Sequence, residues 1–130
     1  MKEARTSRIG DKLIMQLDAP SGLDSVVFED DGDTGYFYAL APTPEGELAL
    51  LDALHIYNAE NELRGTDVRL ELEWSPDGKL AGLRVNASLW ALFDFAEKTG
   101  WSRSNFPPPA GKWGVGQDRP AWDEALVRRL

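Results

Sequence analysis

The chain has one histidine, His55, and no cysteine. Thiolate nucleophiles, thiolate metal sites and disulfides are therefore excluded. A histidine acting as general base needs an orienting acid and a pocket around the reacting bond. Asp52 and Asp94 are the candidate acids, so Asp52, His55 and Asp94 mark a candidate pocket for a small ligand or a reaction. A lone histidine does not build a histidine-rich metal centre. On a strand, His55 shares a face with Ala53 and Tyr57, which reads first as a hydrogen-bonded histidine at the edge of a core. A second constellation is the acidic run Glu29, Asp30, Asp31, Gly32 and Asp33. It lacks the alternating ligands and distal glutamate of an EF-hand loop. Its simplest chemistry is turn formation and solvation, and its functional reading is an acidic tip that meets a basic partner. No bound metal and no cofactor is expected.

Aromatic residues form the third group. Trp101 and Trp113 lie in a segment rich in proline and glycine, around Pro107-Pro108-Pro109. Tryptophan is enriched at binding hot spots, and it also pins long loops to a protein body. Tyr36, Phe37 and Tyr38 resemble a stacking platform for single-stranded nucleic acid, but an acidic protein makes a poor electrostatic funnel. There is no G-x-S-x-G elbow. The run from Gly111 to Gly116 lacks the G-x-x-x-x-G-K-[ST] pattern of a phosphate loop and its strand-to-helix setting.

The elements that must position these residues are strands. Val68, Leu70, Leu72 and Trp74 alternate with Arg69, Glu71 and Glu73, the pattern of a strand with one buried face. Ser75-Pro76-Asp77-Gly78 is a turn, and residues 80–85 return antiparallel. Residues 25–29 and 34–40 flank an Asp-Gly turn and read as a hairpin. Residues 12–17 form a first strand. Residues 48–58 are ambiguous, with a strand favoured over 53–58. Residues 89–95 are a strand on which Leu89, Ala91, Phe93 and Phe95 share a face and Trp90 points the other way. Residues 1–10 read as a loose N-terminal arm and residues 120–130 as a short C-terminal helix, opened by Pro120 and closed by Arg128 and Arg129. The expected fold is mainly β: a single domain over 1–130, with an antiparallel sheet of about six or seven strands, curled or sandwich-like.

Charge constrains the partner. Against 14 basic residues stand 22 acidic ones, a net charge of −8. That sign disfavours nucleic acid and anionic membrane, and favours a protein partner with a basic surface. Residues 1–10 carry Lys2, Arg5 and Arg8 without an apolar run, so neither a signal peptide nor a membrane anchor is expected. The expectation is a soluble cytoplasmic protein.

Several runs stand out together. They are Val27-Phe28-Glu29-Asp30-Asp31-Gly32-Asp33-Thr34-Gly35-Tyr36-Phe37-Tyr38, Leu51-Asp52-Ala53-Leu54-His55-Ile56-Tyr57-Asn58, Trp74-Ser75-Pro76-Asp77-Gly78, Phe93-Asp94-Phe95 and Asn105-Phe106-Pro107-Pro108-Pro109. In that order they resemble a small family of uncharacterised bacterial proteins that carry a domain of unknown function, over residues 26–113. The resemblance implies a bacterial, single-domain, intracellular protein and brings no reaction, cofactor or catalytic residue. The leading expectation is a non-enzymatic binding protein. By analogy with small acidic bacterial proteins it would be an immunity protein that neutralises a toxin, with Glu29, Asp30, Asp31, Asp33, Trp101 and Trp113 at the partner surface. The rival readings are a ligand binder or enzyme at Asp52, His55 and Asp94, and a structural or regulatory subunit of an assembly.

Overall fold

The computed structural model describes residues 1–114 and 118–130. Val115 and Gly116, the end of the glycine-bearing run considered as a phosphate loop, lie outside the described residues. Among the described residues there are nine strands: β1 (Lys2–Arg8), β2 (Leu13–Asp18), β3 (Ser25–Asp30), β4 (Thr34–Pro42), β5 (Leu48–Asn58), β6 (Asp67–Trp74), β7 (Leu80–Val85), β8 (Ser88–Asp94) and β9 (Thr99–Ser102). They form two antiparallel sheets. Sheet A has the order β1-β6-β7-β8-β9 and sheet B the order β2-β3-β4-β5. Phe28, Phe37 and Leu54 from sheet B meet Leu70, Leu72, Trp74, Leu83 and Phe93 from sheet A in one buried core. Phe37 and Phe93 touch across it, with ring centroids 4.8 Å apart. The Trp74 indole N–H donates to the Leu17 carbonyl at 2.9 Å, which ties β6 to β2. Among the described residues no helix is long and apolar enough to cross a membrane.

The alternating run over β6 pairs with β7 as its sequence dictates, Leu72 opposite Leu83, across a turn in which Gly78 takes a φ of 72°. The β3–β4 hairpin closes likewise over Asp31, Gly32 and Asp33.

Four expectations are corrected. There are nine strands rather than six or seven, partly because residues 2–8 are not a loose arm. They form β1, which pairs with β6 from Lys2 opposite Glu73 to Arg8 opposite Asp67. Almost every β1 side chain is exposed, so no alternation marks it. Ion pairs from Lys2 to Glu73 and from Arg8 to Asp67 support it at the two ends. Second, β5 begins at Leu48, five residues before the favoured strand start. Leu51, Asp52, Ala53 and Leu54 are buried in succession, because both faces are covered and the alternation is erased.

Third, the C-terminus is not an α-helix. Only Glu124–Arg128 coils, as a 3-10 turn capped by the Asp123 carboxylate. The tail instead reaches three separate anchors: Trp122 at Arg103, buried Leu126, and Leu130 over Gly82. Fourth, Leu89 does not share the inner face of Ala91 and Phe93. A Cβ on Gly82 would meet Leu89 and Leu130, whereas the neighbouring Ala81 and Leu83 belong to the core. The register between β7 and β8 slips after Leu83, so Leu89 turns outward and Trp90 packs against the core.

Candidate functional site

Strands β5 and β9 come from different sheets and meet at a seam, where Asp52 is the buried group. Its side chain is 1% exposed and that of its partner, Arg119, is 4% exposed. The guanidinium grips the carboxylate with two bonds, at 2.6 and 2.9 Å. It also donates to the Gly100 carbonyl of β9 (3.1 Å), the Ala53 carbonyl of β5 (3.1 Å) and the Pro107 carbonyl (2.9 Å). A guanidinium has five N–H donors, and all five are taken. Arg119 thus joins the two sheets and the 103–114 segment at one point. Gly100 is required there, since a Cβ would lie 2.7 Å from an Asp52 oxygen. The Asp52 carboxylate also accepts from the backbone N–H groups of Ala53 and Ala110. With its oxygens so engaged it is a structural anion rather than a free acid.

Above this ion pair lies a pocket of about 380 Å3 walled by Trp101, Trp113, Pro109, Pro120 and Lys98. The structure therefore brings Asp52, Trp101 and Trp113 together. Trp113 presents its edge to Phe93 and Phe95, at 5.8 and 4.9 Å, and so anchors its loop to the core. Trp101 is half-buried and lies beneath the Arg129 guanidinium at 5.5 Å.

His55 and Asp94 are not among the residues that line this pocket. Asp94 accepts from the N–H groups of Ala96 and Glu97, each at 3.0 Å, and from Arg129 at 2.6 Å. Burial pushes its carboxyl upward, but Arg129 and the two backbone donors outweigh that and hold it below the ordinary range. It fastens the tail to the β8–β9 turn. His55 stands on the outer side of sheet B. Its N–H donates to the Phe106 carbonyl and its carbonyl accepts from Ser104, so the 103–114 segment shields the β5 edge. The ring meets Asn58 through Nε2 at 2.8 Å and sits edge-on to Tyr36 and Phe106, while Nδ1 is buried without a partner among the described residues.

The acidic run divides. Asp30 is buried and accepts from Gly10 N–H, Gly32 N–H and the Tyr57 hydroxyl. It is a structural carboxylate and leaves the exposed acidic set. Burial first, then the Asp30 hydrogen bond and charge, push the Tyr57 hydroxyl far above its usual range. Asp31 is exposed and accepts from Thr34 and Asp33 N–H groups, which hold its carboxyl low. Asp33 is exposed beside Arg64 at 3.7 Å. Glu29 is half-buried on the outer face of sheet B. Among the described residues no three carboxylates or imidazoles converge to hold a metal ion.

That outer face carries the feature that the sequence reading set aside. Ile14, Glu29, Tyr36 and His55 line up across the four strands, and Gln16, Val27, Tyr38 and Ala53 form the adjacent row. Tyr36 and Tyr38 stack with centroids 5.9 Å apart and ring planes 18° from parallel. Ile14 is 64% exposed at one end and Phe106 52% at the other. Tyr36-Phe37-Tyr38 alternates aromatic residues outward and inward, which is the sequence signal for this face. Arg119 left no comparable signal, since its partner is 67 residues away.

The family described as an uncharacterised protein conserved in bacteria, DUF2251, matches residues 7–130. An uncharacterised protein of Haemophilus influenzae is 40% identical over 86 residues, which is 65% of this chain and 53% of that protein. The match thus spans about half the length of that relative. No solved structure matches. With nearly its whole length matched, this chain belongs to the DUF2251 family of uncharacterised bacterial proteins.

Proposed function

We propose that the protein is a non-enzymatic protein-binding domain that docks its partner on the outer face of sheet B. One asymmetry carries this reading. Over β7–β9 the outer face of sheet A is covered by the chain's own tail, through Leu130 against Gly82 and Leu89, Arg129 on Asp94, and Arg103 on Glu124. Over β2–β4 the outer face of sheet B stays open and presents Ile14, Tyr36 and Tyr38, with Phe106 beside it over β5. Half-buried tyrosines offer large, rigid contact area of the kind that dominates interface hot spots. Glu29, Asp18 and the exposed Asp31 fringe that face with negative charge, in keeping with the net charge of −8. A basic protein surface complements it. In its most specific form the protein is a cytoplasmic immunity protein and the partner a bacterial toxin.

The test is a double variant, Tyr36→Ser with Tyr38→Ser. Both rings are half-exposed, so the fold should persist, while the off-rate from a partner captured in the source bacterium should rise at least about tenfold, the scale of one hot spot. Unchanged kinetics would remove this face from the reading.

A further inference from the structure

We infer that the end of the sandwich between Tyr57 and Trp90 is a binding site for one small, neutral, aromatic or apolar molecule. The mouth is built by two irregularities, one in each sheet. In sheet B the register slips between Gly35 and Tyr36, so that Gly35 faces Tyr57 and Tyr36 faces His55. The Tyr57 ring lies so close over Gly35 that a Cβ there would come within 2.8 Å of it. In sheet A the slip after Leu83 turns Trp90 toward the core. A bulge commonly re-aims a side chain next to a site. Here two independent bulges aim one aromatic ring each at the same opening.

The cavity between them measures about 300 Å3 and is lined by Ile9, Val68 and Val85. Leu63 stands at its lip, 47% exposed, on a 3-10 turn (Asn61–Leu63) that buries none of its residues. Sites of this kind occur at the mouths of β-barrels and sandwiches. A cavity near 150 Å3 lined by apolar side chains stays dry and takes benzene; roughly twice that space suits a bicyclic ring.

The lining also favours a neutral ligand. No lysine or arginine lines the cavity. Several of its polar groups are already engaged: the Tyr57 hydroxyl by Asp30, the Thr66 hydroxyl by the Leu63 carbonyl, the Asn86 amide oxygen by the Arg69 N–H, and Asp67 by Arg8. An anionic ligand would meet Asp67 at the rim, and the one cation beside it, Arg8, is already paired with that carboxylate. A cation would have to displace Arg8. A neutral ring meets neither cost. This site is separate from the outer face of sheet B, so its test leaves that reading untouched.

Indole is the probe, titrated into the full chain by calorimetry and by methyl NMR. The expected result is saturable one-site binding with a Kd below about 1 mM, and shifts centred on Ile9, Leu63, Val68 and Val85. Indole-3-acetate, which adds only a carboxylate arm, should bind at least tenfold more weakly by the desolvation argument. Val85→Phe fills the cavity and should abolish the shifts. Leu63→Lys alters only the exposed lip, keeps the fold, and should weaken binding several-fold. Absence of saturable shifts up to the solubility limit would overturn the inference. So would equal affinity for the two probes, or unchanged binding in Leu63→Lys or in a folded Val85→Phe protein.

Discussion

Arg119→Met tests the account of the seam between the sheets. The substitution keeps most of the side-chain volume and removes five hydrogen bonds at once. What remains is a carboxylate at Asp52 that is almost wholly buried, with only the Ala53 and Ala110 N–H groups to hold it. Stranding one member of a buried ion pair costs about 3–5 kcal/mol. For a chain of this size each kcal/mol moves Tm by roughly 3–5 °C, so Tm should fall by about 10–20 °C. Urea unfolding and calorimetry at pH 7 measure the loss. Hydrogen exchange should quicken first at the amides of Ala110 and His55, because the 103–114 segment loses its anchor. A companion variant, Arg119→Met with Asp52→Leu, should recover part of the loss, since no charge is then left buried. Recovery should be incomplete, because the Gly100, Ala53 and Pro107 carbonyls still lack their donor. A loss below about 1 kcal/mol in the single variant, the worth of an exposed pair, would refute the reasoning. So would a double variant no better than the single.

Two further predictions concern turns and pH. Ala87 adopts a φ of 72° in the two-residue turn between β7 and β8, where Asn86 also has positive φ; Ala87→Gly gives the Asn-Gly pair this turn prefers and should stabilise by about 0.5–1 kcal/mol in urea unfolding. Asp94 has its folded carboxyl held below its ordinary value of 3.8, so it stabilises the fold above that value and the contribution is lost as pH falls through the folded value. Asp94→Asn should therefore be less stable than wild type at pH 7 and should show a shallower loss of stability below pH 4, the window set by that shift; identical acid slopes in urea titrations would count against the Arg129 contact.

The legible parts of the fold were those in which one face of a strand meets the core and the other meets water. β6 is such a strand, and the turn after it sets its register with β7. β1 was illegible because its side chains are exposed, so only backbone pairing and two end charges define it. The middle of β5 was illegible for the opposite reason: core on one side and the 103–114 segment on the other bury consecutive residues. The tail carries Pro120, Asp123, Arg128 and Arg129 in helix-like order, yet only Glu124–Arg128 coils, as a 3-10 turn. Asp52 and Asp94 were singled out as acids, but sequence spacing held no trace of Arg119 or Arg129, which use them as tethers. Tyr36 and Tyr38 were visible as a motif, and their exposure depended on whether another element covers sheet B.

That last point bears on how function and stability separate in this chain. The β1, β5 and β9 edges are guarded. Lys2, Arg5 and Arg8 charge the β1 edge, a common defence against strand addition. The β5 edge gives His55 N–H to Phe106, and β9 gives Gly100 carbonyl to Arg119. The carboxylates Asp30, Asp52 and Asp94 are each tied to two or more donors. Changing any of them disturbs folding, so a loss of activity in such variants would say little about mechanism. The rings of Tyr36 and Tyr38 are different. They stack on one another on an open face, and the core side of β4 is filled by Phe37 and Ala39. Serine at those two positions removes apolar surface from solvent contact and leaves the core intact. If the face were merely tolerated, such a variant would behave as wild type in the cell. If it is the docking surface, the variant loses the partner at unchanged stability, a combination that the tethered carboxylates cannot produce.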